Sequence, residues 1–168
     1  MKLRPFDKKD LDEVLDLFRE TVHAINAADY SPEQLDAWAP ERPDKHAWEE
    51  RLTSSSSFVV ETGGRIVGFG NLTAEGRVDT LYVHKNSQKE GIGAAIIMRL
   101  IAEAKSKRMR RIDTFASITA RPFFEKEGFT VEREYERKRN GISFVNYVMA
   151  LELPPAEERD DEEGEGET

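Results

Sequence analysis

The residues with the clearest chemical signature lie between Leu81 and Ala94. A β-rich run ends at Leu81-Tyr82-Val83, the polar segment His84 to Glu90 follows, and Gly91-Ile92-Gly93-Ala94 opens an apolar-periodic helix. Glycine at 91 and 93 lets the backbone approach a ligand closely and take a positive φ. The first turn of the helix offers N–H groups without intrahelical partners and the positive end of the helix dipole, which suits a pyrophosphate. No Lys-Ser/Thr pair follows, so the segment is not a nucleoside-triphosphate P-loop. Nor is it the dinucleotide fingerprint, because Gly91-x-Gly93-x-x-Ile96 carries isoleucine where a third small residue is needed.

Hydropathy periodicity supplies the elements that must position this loop. Lys2 to Phe6 reads as a strand, and Asp7 caps a helix whose apolar positions Leu11, Val14, Leu15, Phe18 and Val22 recur at helical spacing. Ser31-Pro32-Glu33-Gln34 starts a second helix, with Ser at the cap and Pro just inside. A third short helix spans Asp44 to Leu52. Ser57 to Glu61, Arg65 to Leu72 and Arg77 to Val83 read as strands joined by turns at Gly63-Gly64 and Glu75-Gly76. A helix from about Gly91 to Lys107, a strand from Arg111 to Phe115 and a short helix from Ala120 to Glu127, stopped by Gly128, follow. Two last strands, Phe129 to Arg137 and Ser143 to Leu151, turn at Asn140-Gly141. The order predicts a mixed α/β domain with one crossover.

The 168 residues suffice for one domain with its own core. With no cysteine, disulfides, thiolate metal sites, a Cys nucleophile and a thioester-linked enzyme intermediate are excluded, and no metal is expected. The formal net charge of −8 is unevenly placed: residues 154–168 hold eight acids and one base, residues 1–153 hold 25 acids and 24 bases. Between Lys85 and Arg139 there are 14 basic and 8 acidic residues, an excess that suits an anionic ligand. This division predicts a folded domain over 1–153 and a disordered acidic tail over 154–168, either solubilising or recruiting a basic partner. An acidic chain without a basic arm argues against a nucleic-acid partner. The N-terminus lacks the apolar run of a signal peptide and no apolar stretch could span a bilayer, so a cytoplasmic protein without a membrane partner is expected.

The loop resembles the acyl-CoA-binding segment of the GNAT N-acetyltransferase superfamily. The family pattern Gln/Arg-x-x-Gly-x-Gly/Ala is matched as Gln88-Lys89-Glu90-Gly91-Ile92-Gly93, and Leu81-Tyr82-Val83 looks like the family's fourth strand. Downstream, Ala120-Arg121-Pro122-Phe123-Phe124-Glu125-Lys126-Glu127-Gly128-Phe129 is similar to the family motif ending in Glu-Lys-x-Gly-Phe. The agreement runs in the correct order over about residues 1 to 152. It implies a GNAT-like, largely antiparallel mixed sheet flanked by helices, with acyl-CoA bound at a splay between the fourth and fifth strands. It also implies direct acetyl transfer from acetyl-CoA to an amine, without a covalent enzyme intermediate, by a monomer or homodimer.

On the same resemblance, the backbone of Leu81, Tyr82 and Val83 pairs with the pantetheine arm and supplies the oxyanion donor. Gln88, Lys89, Glu90, Gly91, Ile92, Gly93 and Ala94 form the pyrophosphate cradle. Ser117 stands where many members carry a cofactor-contacting Asn, its other reading being a helix-cap residue. Phe124, at the cofactor's sulfur end, occupies the position of a proton-donating Tyr and cannot donate, which makes Tyr147 a candidate acid. Asp79 is the candidate base: strand alternation puts it on the face of Leu81 and Val83, although a cross-strand pair with Arg65 or Arg77 would account for it equally. Tyr30 and Trp38 are candidates for an acceptor wall that fits a small amine with an apolar or ring portion, with core packing as the other reading. The insert from Ala27 to Thr53 should narrow the cleft to small-molecule amines. A protein or peptide N-acetyltransferase and a catalytically inactive acyl-CoA-binding module are the competing functions.

Overall fold

The computed structural model describes residues 1–155, so the expected tail beyond Pro155 lies outside the described residues. Seven strands form one sheet in the order β1 (Lys2–Pro5), β2 (Ser56–Thr62), β3 (Arg65–Leu72), β4 (Arg77–Val83), β5 (Arg111–Ala116), β7 (Ile142–Glu152) and β6 (Thr130–Arg139). Five helices accompany it: α1 (Leu11–Ile25), α2 (Pro32–Trp38), α3 (Lys45–Thr53), α4 (Ile92–Ser106) and α5 (Arg121–Lys126). Every neighbouring pair is antiparallel except β4–β5, which α4 connects by the crossover a parallel pair requires. The expected elements all form; α1 starts at Leu11, three residues later than a helix capped by Asp7 would, and the largest extension carries β6 on to Arg139.

Local signals account for the starts of the helices. The Ser31 side chain accepts from the Gln34 N–H while Gln34 Oε1 accepts from the Ser31 N–H, a reciprocal capping box that starts α2. Asp44 caps α3 by accepting from the Ala47 N–H. Asp7 and Asp10 form a second box ahead of α1, which begins after a single 3-10 turn.

The sheet divides the core in two. Ile92, Ile96, Ile97, Leu100 and Ala104 of α4 pack with Val60, Val78, Ile112 and Met149 on one face. Val14, Leu15, Phe18 and Val22 of α1 pack with Val59, Ile66, Phe69 and Phe144 on the other.

Two irregularities shape the middle of the sheet. β4 and β5 pair only at Arg77–Asp113 and Val78–Thr114, and beyond that point they part, so the fourth and fifth strands splay as expected. In the β3–β4 ladder Asn71 faces Thr80 but Leu72 faces Val78, leaving Asp79 as the extra residue of a β-bulge. The bulge breaks the alternation on which the placement of Asp79 rested. Leu81 and Val83 pack on the α4 side, whereas Asp79 reaches Arg51 of α3 on the α1 side, the side of Tyr82. Its partner is therefore Arg51, not Arg65 or Arg77.

Among the described residues no helix is long and apolar enough to cross a membrane. No group of three or more His, Asp or Glu among them could hold a metal ion.

Candidate active site

A cavity of about 640 Å³ follows the splay, from the loop before α4 to a chamber between α1–α3 and the β6–β7 hairpin. That size suits a small-molecule site.

At the loop end, Gly91 caps α4 in the left-handed conformation (φ +82°) and no side chain caps the helix. The first bond back into the helix is Ala95 N–H to the Gly91 carbonyl at 3.0 Å, which leaves the N–H groups of the opening turn facing the cavity. Gln88 folds the loop onto β4 by donating from Nε2 to the Val83 carbonyl at 2.7 Å. Gly93 is constrained differently: a Cβ there would meet the Phe123 ring at 3.1 Å and Val83 Cγ2 at 3.6 Å. Its lack of a side chain lets the first turn of α4 nest against α5. Lys89 and Lys126 add positive charge, whereas Glu90 is exposed and outside the lining. Free N–H groups at a helix start, flanked by lysines, fit the diphosphate of CoA.

Ser117 lines the cavity and its hydroxyl accepts from the Ala120 N–H at 3.0 Å, so it also caps the turn into α5. Phe124 is buried, with the Phe123 and Phe129 rings edge-on at 5.2 Å each.

The chamber at the other end is aromatic and cationic. Phe18, Trp38, Trp48, Tyr82 and Phe144 line it, and Trp38 Nε1 donates to the Tyr82 hydroxyl at 3.1 Å. Burial raises the Tyr82 phenol above its ordinary range, so it stays protonated. Asp79 receives Arg51 Nη2 at 3.0 Å on one oxygen, and Arg51 Nε together with Asn71 Nδ2 on the other. Burial works against its charge, but the hydrogen bonds and charge of Arg51 outweigh it and hold the carboxyl below its usual value.

Tyr30 and Tyr147 are not in the lining. The Tyr30 hydroxyl accepts from the Ile118 N–H at 2.8 Å and donates to the Val145 carbonyl at 3.4 Å, so it clamps the fold behind Trp38. Tyr147 lies under the Arg121 guanidinium, 4.5 Å from its ring centroid.

Sequence reasoning missed Arg51, Arg137, Arg139 and Asn146, all of which line the cavity. For the hairpin residues a signal existed: Arg137 and Arg139 are two apart on a strand whose partner presents the apolar Phe144 and Ile142 opposite them.

Residues 26–151 match the acetyltransferase (GNAT) domain family. The chain belongs to that family. As a GNAT protein it shares 31% identity over 149 residues with the uncharacterized N-acetyltransferase YafP of Escherichia coli, covering 89% of this chain and 94% of the relative. It superposes on the GCN5-related N-acetyltransferase of Rhodopseudomonas palustris with a TM-score of 0.88 and 28% identity, covering 90% of this chain and 95% of that one. YncA of Salmonella typhimurium, solved with its cofactor acetyl-CoA, shares the fold at a TM-score of 0.68 and 20% identity, covering 93% of this chain and 98% of that one. This GNAT chain is an acetyl-CoA-dependent acetyltransferase.

Proposed function

We propose that the protein transfers the acetyl group of acetyl-CoA directly to the primary amine of a small molecule held in the aromatic chamber. The observation that carries this reading is the closure of the acceptor end. Asn140 Nδ2 donates to the Ala37 carbonyl at 3.0 Å, and Gln34 Nε2 donates to the Ser143 carbonyl at 3.0 Å. The Trp38 ring meets Phe144 edge-on at 6.1 Å. These contacts tie α2 to the β6–β7 hairpin and favour a compact acceptor over an extended peptide.

Acetyl-CoA supplies an activated acyl group: a C–N bond forms, the thioester C–S bond breaks, the amine gives up a proton and the thiolate takes one. The residues of the chain bind and orient. The opening turn of α4 holds the diphosphate, and the edge of β4 freed from β5 beyond Val78 offers main-chain donors to the acyl oxygen. Asp79 borders the reacting end, but its oxygens are engaged by Arg51 and Asn71. We assign it the positioning of Arg51 rather than proton abstraction. The cationic chamber instead lowers the pKa of the acceptor's ammonium, so that solvent suffices as the base. Tyr147, outside the lining, takes no part in protonating the thiolate. A thiol with a pKa of about 8.5, as for a Cys side chain, leaves without obligatory acid catalysis.

Thiol release from acetyl-CoA, measured with a panel of small primary amines and of short peptides with free N-termini, tests the reading. Turnover should be confined to small amines, and peptides outpacing every small amine would refute it.

A further inference from the structure

We infer that the acceptor amine carries a carboxylate, seated against Arg137, Arg139 and the side-chain amide of Asn146; this rests on the amine-acetylating reading above. The β6–β7 register sets Arg137 opposite Phe144 and Arg139 opposite Ile142, so both guanidiniums share the face of Phe144 and Asn146 that borders the chamber. The other arginines of the lining are neutralised, Arg51 by Asp79 and Arg77 by Asp113 at 3.0 Å. Among the described residues, the Arg137 and Arg139 side chains have neither an ion pair nor a hydrogen bond. They lean only on rings: Arg137 lies 5.8 Å from the Phe115 centroid and Arg139 5.8 Å from that of Trp38.

Asn146 supplies an independent sign of a missing partner. Its side chain lines the cavity at 7% exposure with no hydrogen-bond partner among the described residues. Buried polar groups are rarely left so, and an anion's oxygens would satisfy its N–H₂. Burial, and then repulsion from Arg137 and Arg51, holds the Arg139 guanidinium below its usual range, the strain a bound anion would relieve.

The forked donors of two guanidiniums match a planar two-oxygen acceptor. Charge also favours a monoanion. Three guanidiniums, Arg51, Arg137 and Arg139, face one carboxylate, Asp79, so a bound carboxylate leaves one positive charge uncompensated. That remaining field keeps the neighbouring amine unprotonated, and a dianionic phosphate would cancel it. The rings of Trp38, Trp48 and Phe144 then take an apolar or aromatic body.

The test uses the full chain and matched amines: phenylalanine against phenethylamine, 4-(aminomethyl)benzoate against benzylamine, and the aminophosphonate analogue of phenylalanine. Thiol release from acetyl-CoA gives kcat/KM, and calorimetric titration into the CoA-loaded protein gives binding without turnover. At least one carboxylated amine should exceed its carboxylate-free counterpart by on the order of 10- to 100-fold, the scale of a charge-assisted hydrogen bond. Arg137→Gln and Arg139→Gln should collapse that ratio towards one, and Arg139→Lys should retain part of it. Stabilisation by acetyl-CoA checks that each variant is folded.

Carboxylate-free amines preferred by the wild type, or a ratio indifferent to both arginines, would overturn the inference and leave amine acetylation standing. A phosphonate preferred over its carboxylate would overturn the assignment of the anion. If no amine turns over, carboxylate binding that disappears in Arg139→Gln sustains the carboxylate seat alone and faults the small-amine reading; no binding overturns the inference.

Discussion

Replacing Gly93 by Glu isolates the cofactor cradle from the fold. A side chain at 93 starts with a Cβ 3.1 Å from the Phe123 ring, close enough that the ring must shift by a few tenths of an ångström. Against that cost, Glu gains over Gly in helix propensity and in interaction with the dipole at the start of α4, together about 1 kcal/mol. The unliganded melting temperature therefore reports the packing cost at Phe123, and the ligand-induced shift of each variant is read relative to it. Cofactor binding should not survive: a carboxylate about 5 Å from a diphosphate charge, at an effective dielectric near 20, costs about 3 kcal/mol, or roughly 200-fold in affinity. With acetyl-CoA at 100 times the wild-type dissociation constant, the wild type gains about 2.7 kcal/mol and the variant about 0.2 kcal/mol. For a chain of this size those figures correspond to a shift of roughly 5–10 °C against less than 1 °C. Thermal melts with and without acetyl-CoA make the measurement, with Gly93→Ala separating the contact with Phe123 from the added charge. Equal stabilisation of Gly93→Glu and wild type would refute the assignment of the α4 start as the diphosphate site.

Removing residues 156–168 should leave both the melting temperature and the acetyl-CoA shift within error, because the seven described strands and the two core clusters draw on residues 2–153; a large loss in either would count against this. Asp79, whose carboxyl is held below its ordinary value, contributes stability that is complete above its unfolded pKa of about 4 and lost as pH falls through the lower folded value. Asp79→Asn should therefore flatten the acid limb of a melting-temperature profile below about pH 4, and should leave any activity limb above pH 5 in place, since that limb belongs to the acceptor's ammonium. Tyr147→Phe should change kcat by less than a factor of ~10, short of the ~10²-fold or more expected of a general acid. Phe124→Tyr, which places a hydroxyl where the family usually has one, should raise kcat at the acid end of a pH 6 to 9 series.

Much of the fold was legible because each element carries its own local signal. Ser31 and Gln34 mark the start of α2, Gly63-Gly64 and Asn140-Gly141 mark two hairpins, and the apolar repeat from Ile92 to Ala104 marks the face of α4 that packs on β3. The candidate cradle could be named from sequence for the same reason, since Gln88 to Ala94 is one contiguous stretch leading into α4. The acceptor chamber was not, because Trp48 and Arg51 come from α3, Tyr82 from β4, and Arg137, Arg139, Phe144 and Asn146 from the last hairpin. No spacing in one segment records that convergence. Asp79 shows how a single added residue defeats a periodicity argument. The bulge at Asp79, opposite the Asn71–Leu72 step of β3, moves it to the opposite face from Leu81, and nothing within Arg77 to Val83 announces the bulge.

That displacement bears on the chemistry. Were Asp79 in regular alternation, it would share the face of Leu81 and Val83, beneath α4 and away from the arginines. Set on the α3 side, it meets Arg51 and Asn71, and it offsets one of the three guanidiniums of the chamber. On our reading the chamber's remaining positive charge does two jobs, holding an anionic group on the acceptor and disfavouring protonation of its amine. A strong carboxylate base would work against the second of these, because an unpaired negative charge beside the amine would stabilise the ammonium. The pairing of Asp79 with Arg51 removes that opposing field while leaving the carboxylate in place to orient the guanidinium, so the same bond that makes Asp79 a poor base favours the neutral amine.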